Sequence, residues 1–275
     1  MKILNFILVF VIGLASGIAL SYFLFQFSSS LSPAPSPSTT PIQSSSSPEI
    51  YPQTSTETAP ILMYHHIRIP PKKTNKIESG LDVSPLNFEE QMAYLYAKGY
   101  KTISLDKLFE KSEEKKFIIT FDDGYKDVIE NAYPLLKRLD YKSTIFLIVN
   151  DIGKEGYLNW EDIKILEKAG WSFGSHTLSH RNLLSLKQDE AEKEIVLSKE
   201  KLEGKLENPV DFFCYPAGKF NQDIIKLVKE AGYKGAVTTL FGKDNKKEDI
   251  YQLKRIRVSG SDTLQSFIKK LGKGL

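Results

Sequence analysis

The sequence predicts an α/β fold whose parallel strands form either a closed barrel or a doubly wound sheet. Short apolar, strand-like runs recur from residue 60 onward, and amphipathic helical stretches lie between most of them. About eight runs alternating with helices are typical of repeated strand–helix units. The predicted strands are Ile61–Tyr64, Lys101–Ser104, Phe117–Phe121, Thr144–Val149, Trp171–Gly174, Val210–Tyr215, Gly235–Thr239 and Arg255–Val258. In either arrangement, functional side chains are expected at the carboxyl ends of the strands.

Capping and turn residues support the helices between these strands. Ser84-Pro85 predicts a helix start, because serine caps the first turn and proline is tolerated at the first helical position. Glycines that follow helical patterns and precede strands predict helix ends at Gly99, Gly170 and Gly232. The stretch Glu190–Leu206 is dense in lysine and glutamate, which predicts a solvated outer helix.

Residues 1–27 are predicted to form a transmembrane anchor. The run Ile3–Phe27 contains no charged side chain. As a helix it would be about 37 Å long, enough to cross a hydrocarbon core of ~30 Å. A cleavable signal peptide usually has an apolar region of only about 7–15 residues, so an anchor is favoured over secretion after cleavage. Lys2 favours a cytoplasmic N-terminus, which predicts a single-pass protein of the cell membrane with an extracytoplasmic catalytic domain.

Residues 28–59 are predicted to be a disordered linker, and residues 60–275 the catalytic domain. Of the 32 linker residues, 11 are serine, 5 threonine and 6 proline, which leaves little apolar surface to bury. The whole chain has 37 basic and 34 acidic residues, a balance too mild to indicate a nucleic-acid partner. The single cysteine, Cys214, excludes an internal disulfide and a four-cysteine zinc site.

Two groups of polar residues follow predicted strands. Asp122-Asp123 comes directly after the third strand, and His176 and His180 come after the fifth. Seen alone, the carboxylates fit an ordinary turn, and the histidines fit a surface or core pair. Histidines four residues apart can also face the same way on a helical turn. Two histidines and one carboxylate form a common set for a catalytic Zn²⁺, and a second carboxylate can act as base, so together they predict metal-assisted hydrolysis.

The segments Thr120-Phe-Asp-Asp-Gly124 and Ser175-His-Thr-Leu-Ser-His180 resemble the polysaccharide deacetylase family, or NodB-homology domain, and its poly-N-acetylglucosamine deacetylase-like branch. The resemblance extends over residues 60–258 and implies a distorted (β/α) barrel of seven to eight strands. It also implies that Asp122 is the general base. The implied metal ligands are Asp123, His176 and His180, holding Zn²⁺ or another divalent transition metal such as Co²⁺, Ni²⁺ or Fe²⁺.

A third segment, Phe213-Cys-Tyr-Pro-Ala-Gly218, is similar to a further motif of this family. The resemblance implies that the backbone N–H of Ala217 stabilises the oxyanion, a role that does not require a particular side chain. It also implies that Tyr215 and Pro216 contact the substrate. Cys214 is predicted to fill a buried strand position as a small apolar residue.

Two family motifs are missing from this sequence. The fourth, of the type Asp-x-x-Asp-Trp, is not recognisable, and no histidine follows His180 to serve as the late general acid. We expect His65 or His66 to replace it as acid or substrate contact, although each is equally compatible with a hydrogen-bonded strand end. Of Arg255 and Arg257 on the last strand, one is expected to orient the base. Arg257 is predicted to bind substrate.

These observations predict a metal-dependent hydrolase that removes N-acetyl groups from a cell-surface or extracellular polysaccharide containing N-acetylglucosamine. Its expected partners are an N-acetylated glycan polymer and, through the N-terminal helix, a membrane. Hydrolysis of O-acetyl esters on a glycan uses the same site and stays open as an alternative. A non-catalytic surface glycan-binding protein is a second alternative. The intact aspartate and histidine pairs argue against it, because a degenerate site should lose its ligands first.

Overall fold

The computed structural model describes residues 58–72 and 79–272, which form ten β-strands and six α-helices. The strands are β1 (Ile61–Tyr64), β2 (His66–Ile67), β3 (Asp82–Val83), β4 (Lys101–Thr102), β5 (Lys116–Phe121), β6 (Thr144–Leu147), β7 (Ser172–Ser175), β8 (Phe212–Cys214), β9 (Gly235–Phe241) and β10 (Leu253–Arg257). The helices are α1 (Pro85–Ala97), α2 (Tyr133–Arg138), α3 (Trp160–Lys168), α4 (Gln188–Glu203), α5 (Gln222–Glu230) and α6 (Leu264–Leu271). Each predicted strand overlaps one of these strands.

Seven strands close into a parallel barrel. Their order is β1, β10, β9, β8, β7, β6 and β5, and β5 pairs back with β1. Every pairing around this ring is parallel. Closure confirms the predicted barrel and excludes the doubly wound alternative, which would leave two open edges. Strand β4 pairs only with the first two residues of β5, and β2 and β3 form a separate two-stranded sheet.

Side chains alternate across the barrel wall. On β1, Ile61 belongs to the smaller of two apolar clusters and Leu62 to the larger one. Because successive strand residues point to opposite faces, we infer that the smaller cluster fills the barrel and the larger one packs beneath the helices. The smaller cluster includes Ile61, Ile118, Phe146, Phe212, Val237 and Leu253. Gly174 leaves room for this filling, since a Cβ there would lie 2.4 Å from the Phe146 ring.

The predicted helix boundaries are confirmed. Ser84 accepts a hydrogen bond from the backbone N–H of Asn87, and Pro85 is the first residue of α1. The glycines at the predicted helix ends adopt left-handed backbone conformations, with φ of 78° at Gly99, 84° at Gly170 and 79° at Gly232.

Helix α4 differs in part from the solvated helix that its composition predicts. Its outer face is exposed, but its inner face is buried and includes one carboxylate, Glu194. The composition of the helix does not distinguish this buried glutamate from the exposed ones, because it does not specify which face packs on the barrel.

The predicted anchor at residues 1–27 lies outside the described residues, as does the predicted linker except for Thr58 and Ala59. The hydroxyl of Thr58 donates a hydrogen bond of 2.8 Å to the carbonyl of Lys243. The described part of the chain therefore begins inside the predicted linker. None of the helices in the described ranges is long and apolar enough to cross a membrane.

Candidate active site

Asp122 stands at the carboxyl end of β5, where its side chain meets a buried arginine. Its two carboxylate oxygens accept hydrogen bonds from Nη1 and Nη2 of Arg255, each at 2.7 Å. Arg255 is fully buried and also donates to the hydroxyl of Thr120 and the carbonyl of Thr238. Burial raises the pKa of Asp122, but the charge and hydrogen bonds of Arg255, together with the nearby His65 and His176, lower it to below its usual value. Of the two arginines on β10, Arg255 is the one that contacts Asp122.

Three side chains that can bind a metal converge next to Asp122. Nε2 of His176 lies 3.4 Å from Oδ1 of Asp123, and Nε2 of His180 lies 3.7 Å from the same oxygen. The three donor atoms lie within 4.8 Å of one another. A carboxylate and two imidazoles are a donor set of catalytic zinc sites. The structure therefore brings together the three residues that the sequence analysis assigned to the metal.

His176 is oriented by a hydrogen bond behind its ring. Nδ1 lies 2.7 Å from the carbonyl oxygen of Cys214, which can only accept, so Nδ1 carries a proton and Nε2 faces Asp123. Burial lowers the pKa of His176, but Cys214 and Asp123 together raise it well above its usual value. Burial and the neighbouring His176 lower the pKa of His180. A cation that binds here must therefore displace a proton from His176.

The segment from His176 to His180 is not the helical turn that its spacing predicts. It is a tight turn in which Thr177 and His180 have φ of 69° and 57°. The turn still places the two imidazole rings together, with centroids 4.7 Å apart. Five non-glycine residues in the described part of the chain have positive φ, and four of them belong to this site, namely Asp123, Thr177, His180 and Ala217. Backbone strain of this kind is typical of functional sites, where the surrounding structure stabilises the unfavourable conformations.

His65 reaches the same carboxylate as Arg255. Its Nε2 lies 3.8 Å from Oδ2 of Asp122, and its side chain is 12% exposed. Its buried Nδ1 has no hydrogen-bond partner among the described residues. Burial lowers the pKa of His65, and this effect outweighs the opposite influence of Asp122 and Asp123. His65 is therefore a neutral imidazole at pH 7, next to Asp122.

His66 is held by a different set of contacts. Its Nδ1 lies 2.5 Å from Oδ2 of Asp127, and its ring stacks on Tyr125 with centroids 3.5 Å apart. The other oxygen of Asp127 accepts the backbone N–H of Ile67 at 2.8 Å. The structure thus distinguishes two histidines that the sequence analysis treated as equivalent. His66 takes the hydrogen-bonded strand-end arrangement, and His65 takes the position beside Asp122.

The segment after β8 buries Tyr215 and Pro216 and leaves Ala217 exposed. Tyr215 is fully buried, and its hydroxyl donates to the carbonyl of Tyr251 at 3.0 Å. Pro216 is also buried. Both side chains pack in the protein interior, and the predicted contact of Tyr215 and Pro216 with the substrate stays a prediction. Ala217 is exposed with φ of 52°, and its N–H donates to no backbone carbonyl of the described residues.

Two further residues complete the site. Arg257 is exposed and close enough to His65 to lower its pKa, so its predicted contact with substrate stays a prediction. Cys214 is buried, as predicted. Its sulfur lies 3.4 Å from Nη2 of Arg255 and 3.9 Å from Nε2 of His176. The thiol therefore packs between the arginine and the imidazole of His176.

Comparison with known proteins agrees with this geometry. The family described as polysaccharide deacetylase matches residues 109–236. YxkH of Bacillus subtilis (strain 168), whose name places it among the polysaccharide deacetylases, is 34% identical over 206 residues, which cover 73% of this chain and 71% of that protein. The chain belongs to the polysaccharide deacetylase family. Its homologues in this family are hydrolytic deacetylases.

Other polysaccharide deacetylases extend the similarity. The poly-beta-1,6-N-acetyl-D-glucosamine N-deacetylase of Staphylococcus aureus (strain MRSA252) is 27% identical over 216 residues, covering 72% of this chain and 74% of that protein. The structure of BC0361, a polysaccharide deacetylase from Bacillus cereus, has a TM-score of 0.71 at 30% identity, covering 78% of this chain and 69% of that one. The Streptococcus pyogenes deacetylase PplD in complex with acetate has a TM-score of 0.72 at 27% identity, covering 78% and 99%.

Three residues at this deacetylase site were not predicted from the sequence. Tyr125 directly follows the Asp-Asp-Gly segment, and Asp127 lies two residues further on. Their closeness in sequence to Asp122 and Asp123 is the signal that could have identified them. Burial and the nearby Asp123 raise the pKa of Tyr125, so its hydroxyl stays protonated. Glu194 lies 14 residues after His180 in a charged helix, where no local pattern marks it.

Proposed function

We propose that this polysaccharide deacetylase is a metal-dependent N-deacetylase of an extracellular or cell-surface polysaccharide that contains N-acetylglucosamine. The observation that carries the proposal is the division of roles between two adjacent carboxylates. Asp122 is paired with Arg255, whereas Asp123 faces His176 and His180. One carboxylate is thereby arranged as a base and the other as a metal ligand, a combination that supports metal-assisted hydrolysis of an amide.

The donors of Asp123, His176 and His180 fit a divalent transition metal, with Zn²⁺ as the first candidate. The Cys214 carbonyl sets the Nδ1–H tautomer of His176 and directs Nε2 toward Asp123. Three protein ligands leave open positions for water and substrate. When bound, such an ion polarises the acetyl carbonyl and lowers the pKa of water. Co²⁺, Ni²⁺ and Fe²⁺ accept the same donors.

Asp122 is the general base in this proposal. Because Arg255 lowers its pKa, the carboxylate is ionised at neutral pH and can accept a proton from the attacking water. The two hydrogen bonds from Arg255 fix the orientation of the carboxylate, and each oxygen keeps a second lone pair for that proton.

Ala217 and His65 supply the remaining steps. The N–H of Ala217, an exposed residue, is the proposed donor to the oxyanion that forms when water attacks the acetyl carbon. His65, neutral and 3.8 Å from Asp122, is proposed to carry the proton from that carboxylate to the leaving nitrogen. The carbon–nitrogen bond then breaks as the oxyanion re-forms the carbonyl, and the protonated nitrogen leaves. The products are acetate and a free amino group on the sugar.

The substrate class and location are supported by different observations. The similarity to the poly-beta-1,6-N-acetyl-D-glucosamine N-deacetylase of Staphylococcus aureus supports a poly-N-acetylglucosamine substrate. Exposed Arg257 is proposed to contact the polymer beside His65. The apolar run at residues 1–27 supports an anchored protein whose catalytic domain lies outside the cytoplasm, with secretion after cleavage as the alternative.

The test is acetate release from N-acetylglucosamine oligomers by the full chain. Release should require Zn²⁺, stop with a chelator and return when Zn²⁺ is restored. Asp122→Asn should lower kcat by at least about 10²-fold because the base is lost. Asp140→Asn is the matched control, since Asp140 is exposed and lies outside the site. Unfolding curves must accompany Asp122→Asn, because the substitution leaves Arg255 without its carboxylate.

Two other outcomes of this test would indicate a different function. Zinc binding with acetate release only from O-acetylated glycans would indicate an esterase. A chain that binds glycan, but neither binds zinc nor releases acetate, would be a glycan-binding protein.

A further inference from the structure

Glu194 is a buried carboxylate that contacts the turn carrying the proposed metal ligands. It lies on the inner face of α4 and is 7% exposed. Its Oε2 accepts the backbone N–H of Ser179 at 2.9 Å, and its Oε1 accepts the Ser179 hydroxyl. The backbone carbonyl of Glu194 accepts the N–H of Leu178 at 3.3 Å. Both side-chain oxygens therefore bind the residue immediately before His180.

Within the described part of the chain, Glu194 has no cationic partner that would account for its burial. The ion pairs of residues 58–72 and 79–272 do not include it. A buried carboxylate is costly unless its oxygens are hydrogen-bonded. Here Ser179 alone provides the two side-chain hydrogen bonds found in the described ranges. The burial of Glu194 is therefore linked to the position of this one residue.

The turn from Thr177 to His180, which Glu194 contacts, has a strained backbone. Thr177 and His180, on either side of Leu178 and Ser179, both adopt left-handed conformations. This conformation costs a residue with a side chain about 1–2 kcal/mol. The side chain of His180 is 38% exposed, against 3% for His176, so packing does much less to fix its ring. The position of His180 therefore depends on how firmly the turn is held.

We propose that Glu194 is a positioning residue of the metal centre, which holds His180 in its ligating position through Ser179. The inference rests on the proposed metal binding by Asp123, His176 and His180. Glu194 itself contacts neither the metal nor the substrate in this arrangement. Residues that orient metal ligands in this way typically change metal affinity by about 10–100-fold when they are replaced.

The test is the zinc affinity of the full chain, measured by competition with a chromophoric chelator. Glu194→Ala should weaken Zn²⁺ binding about 10–100-fold. Glu194→Gln should restore much of the affinity, because an amide oxygen still accepts from Ser179 and its NH₂ can donate to the hydroxyl. Ser179→Ala should have an intermediate effect, since the backbone N–H bond is kept. Glu192→Gln is the matched control, an exposed glutamate on the same helix.

A second readout separates positioning from general stability. The denaturation midpoint of each metal-free variant is measured first. Acetate release is then measured at increasing zinc concentration, under conditions below that midpoint, where the variant is folded. A positioning role predicts that saturating zinc restores kcat of Glu194→Ala with KM unchanged. If Glu194→Ala binds zinc with wild-type affinity, or loses kcat that saturating zinc does not restore, the inference about Glu194 is wrong. The proposed metal site itself is not contradicted by either result. A wild-type chain that binds no zinc overturns the proposed metal site and, with it, this inference.

Discussion

The guanidinium of Arg255 and the carboxylate of Asp122 form a buried ion pair through two hydrogen bonds of 2.7 Å, although 133 positions separate them in sequence. Arg255 lies on β10 and Asp122 follows β5. Both strands pair with β1, on its two sides. Closure of the barrel therefore brings the two charges together and gives the proposed base its orientation.

Replacement of Arg255 by methionine tests this pair. The variant leaves a buried carboxylate without its partner, so the free energy of unfolding should fall by about 3–5 kcal/mol. The pKa of Asp122 should rise, which moves the acidic limb of the kcat profile to higher pH. Urea unfolding and kcat between pH 4 and 8 check both expectations. Arg257→Met is the control for the unfolding measurement alone, because its exposed side chain should change stability by no more than about 0.5 kcal/mol, whereas its proposed contact with substrate makes it unsuitable as a control for kcat.

The two adjacent histidines should respond differently to alanine substitution. His65→Ala should reduce kcat by about 10²–10⁴-fold, the usual range for a proton-transfer group, with zinc affinity preserved. His66→Ala should mainly lower stability, by about 1–3 kcal/mol, because Asp127 loses its imidazole partner. Steady-state kinetics and urea unfolding of each variant separate the two roles. If His65→Ala kept wild-type kcat, the proposed role of His65 would be wrong.

Zinc affinity should depend on pH because of His176. Its pKa is raised in the metal-free site, so a proton competes with the metal for Nε2. Below that raised pKa, the dissociation constant for Zn²⁺ should increase about tenfold for each unit that the pH falls. Chelator competition between pH 6 and 8 measures this slope. A dissociation constant that is constant over this range would show that no proton is displaced.

Replacement of Ala217 by glycine should preserve activity and increase stability. The φ of 52° at this position disfavours a residue with a side chain, whereas glycine adopts it without strain. The free energy of unfolding should rise by up to about 1 kcal/mol, reduced by the added freedom of glycine in the unfolded chain. Because the proposed oxyanion donor is the backbone N–H, kcat should stay near the wild-type value. A large loss of kcat would show that the methyl group itself is needed.

Much of the fold and part of the site could be predicted from the sequence. The short apolar runs and the helix stops mark the strands and helices, because these signals are local. Two short motifs mark Asp122, Asp123, His176 and His180 for the same reason. The conformation between the two histidines could not be predicted, since a four-residue spacing fits both a helical turn and the left-handed turn that forms.

The sequence by itself determined a strand–helix alternation with carboxylates and imidazoles at the ends of alternate strands. Only the tertiary structure decided which histidine approaches Asp122, which arginine pairs with it, and that Tyr215 points into the core. It also decided that Glu194 turns inward to hold Ser179. The physical reason is that each of these outcomes depends on burial and on contacts between distant segments. Those contacts form only when seven parallel strands close into a barrel.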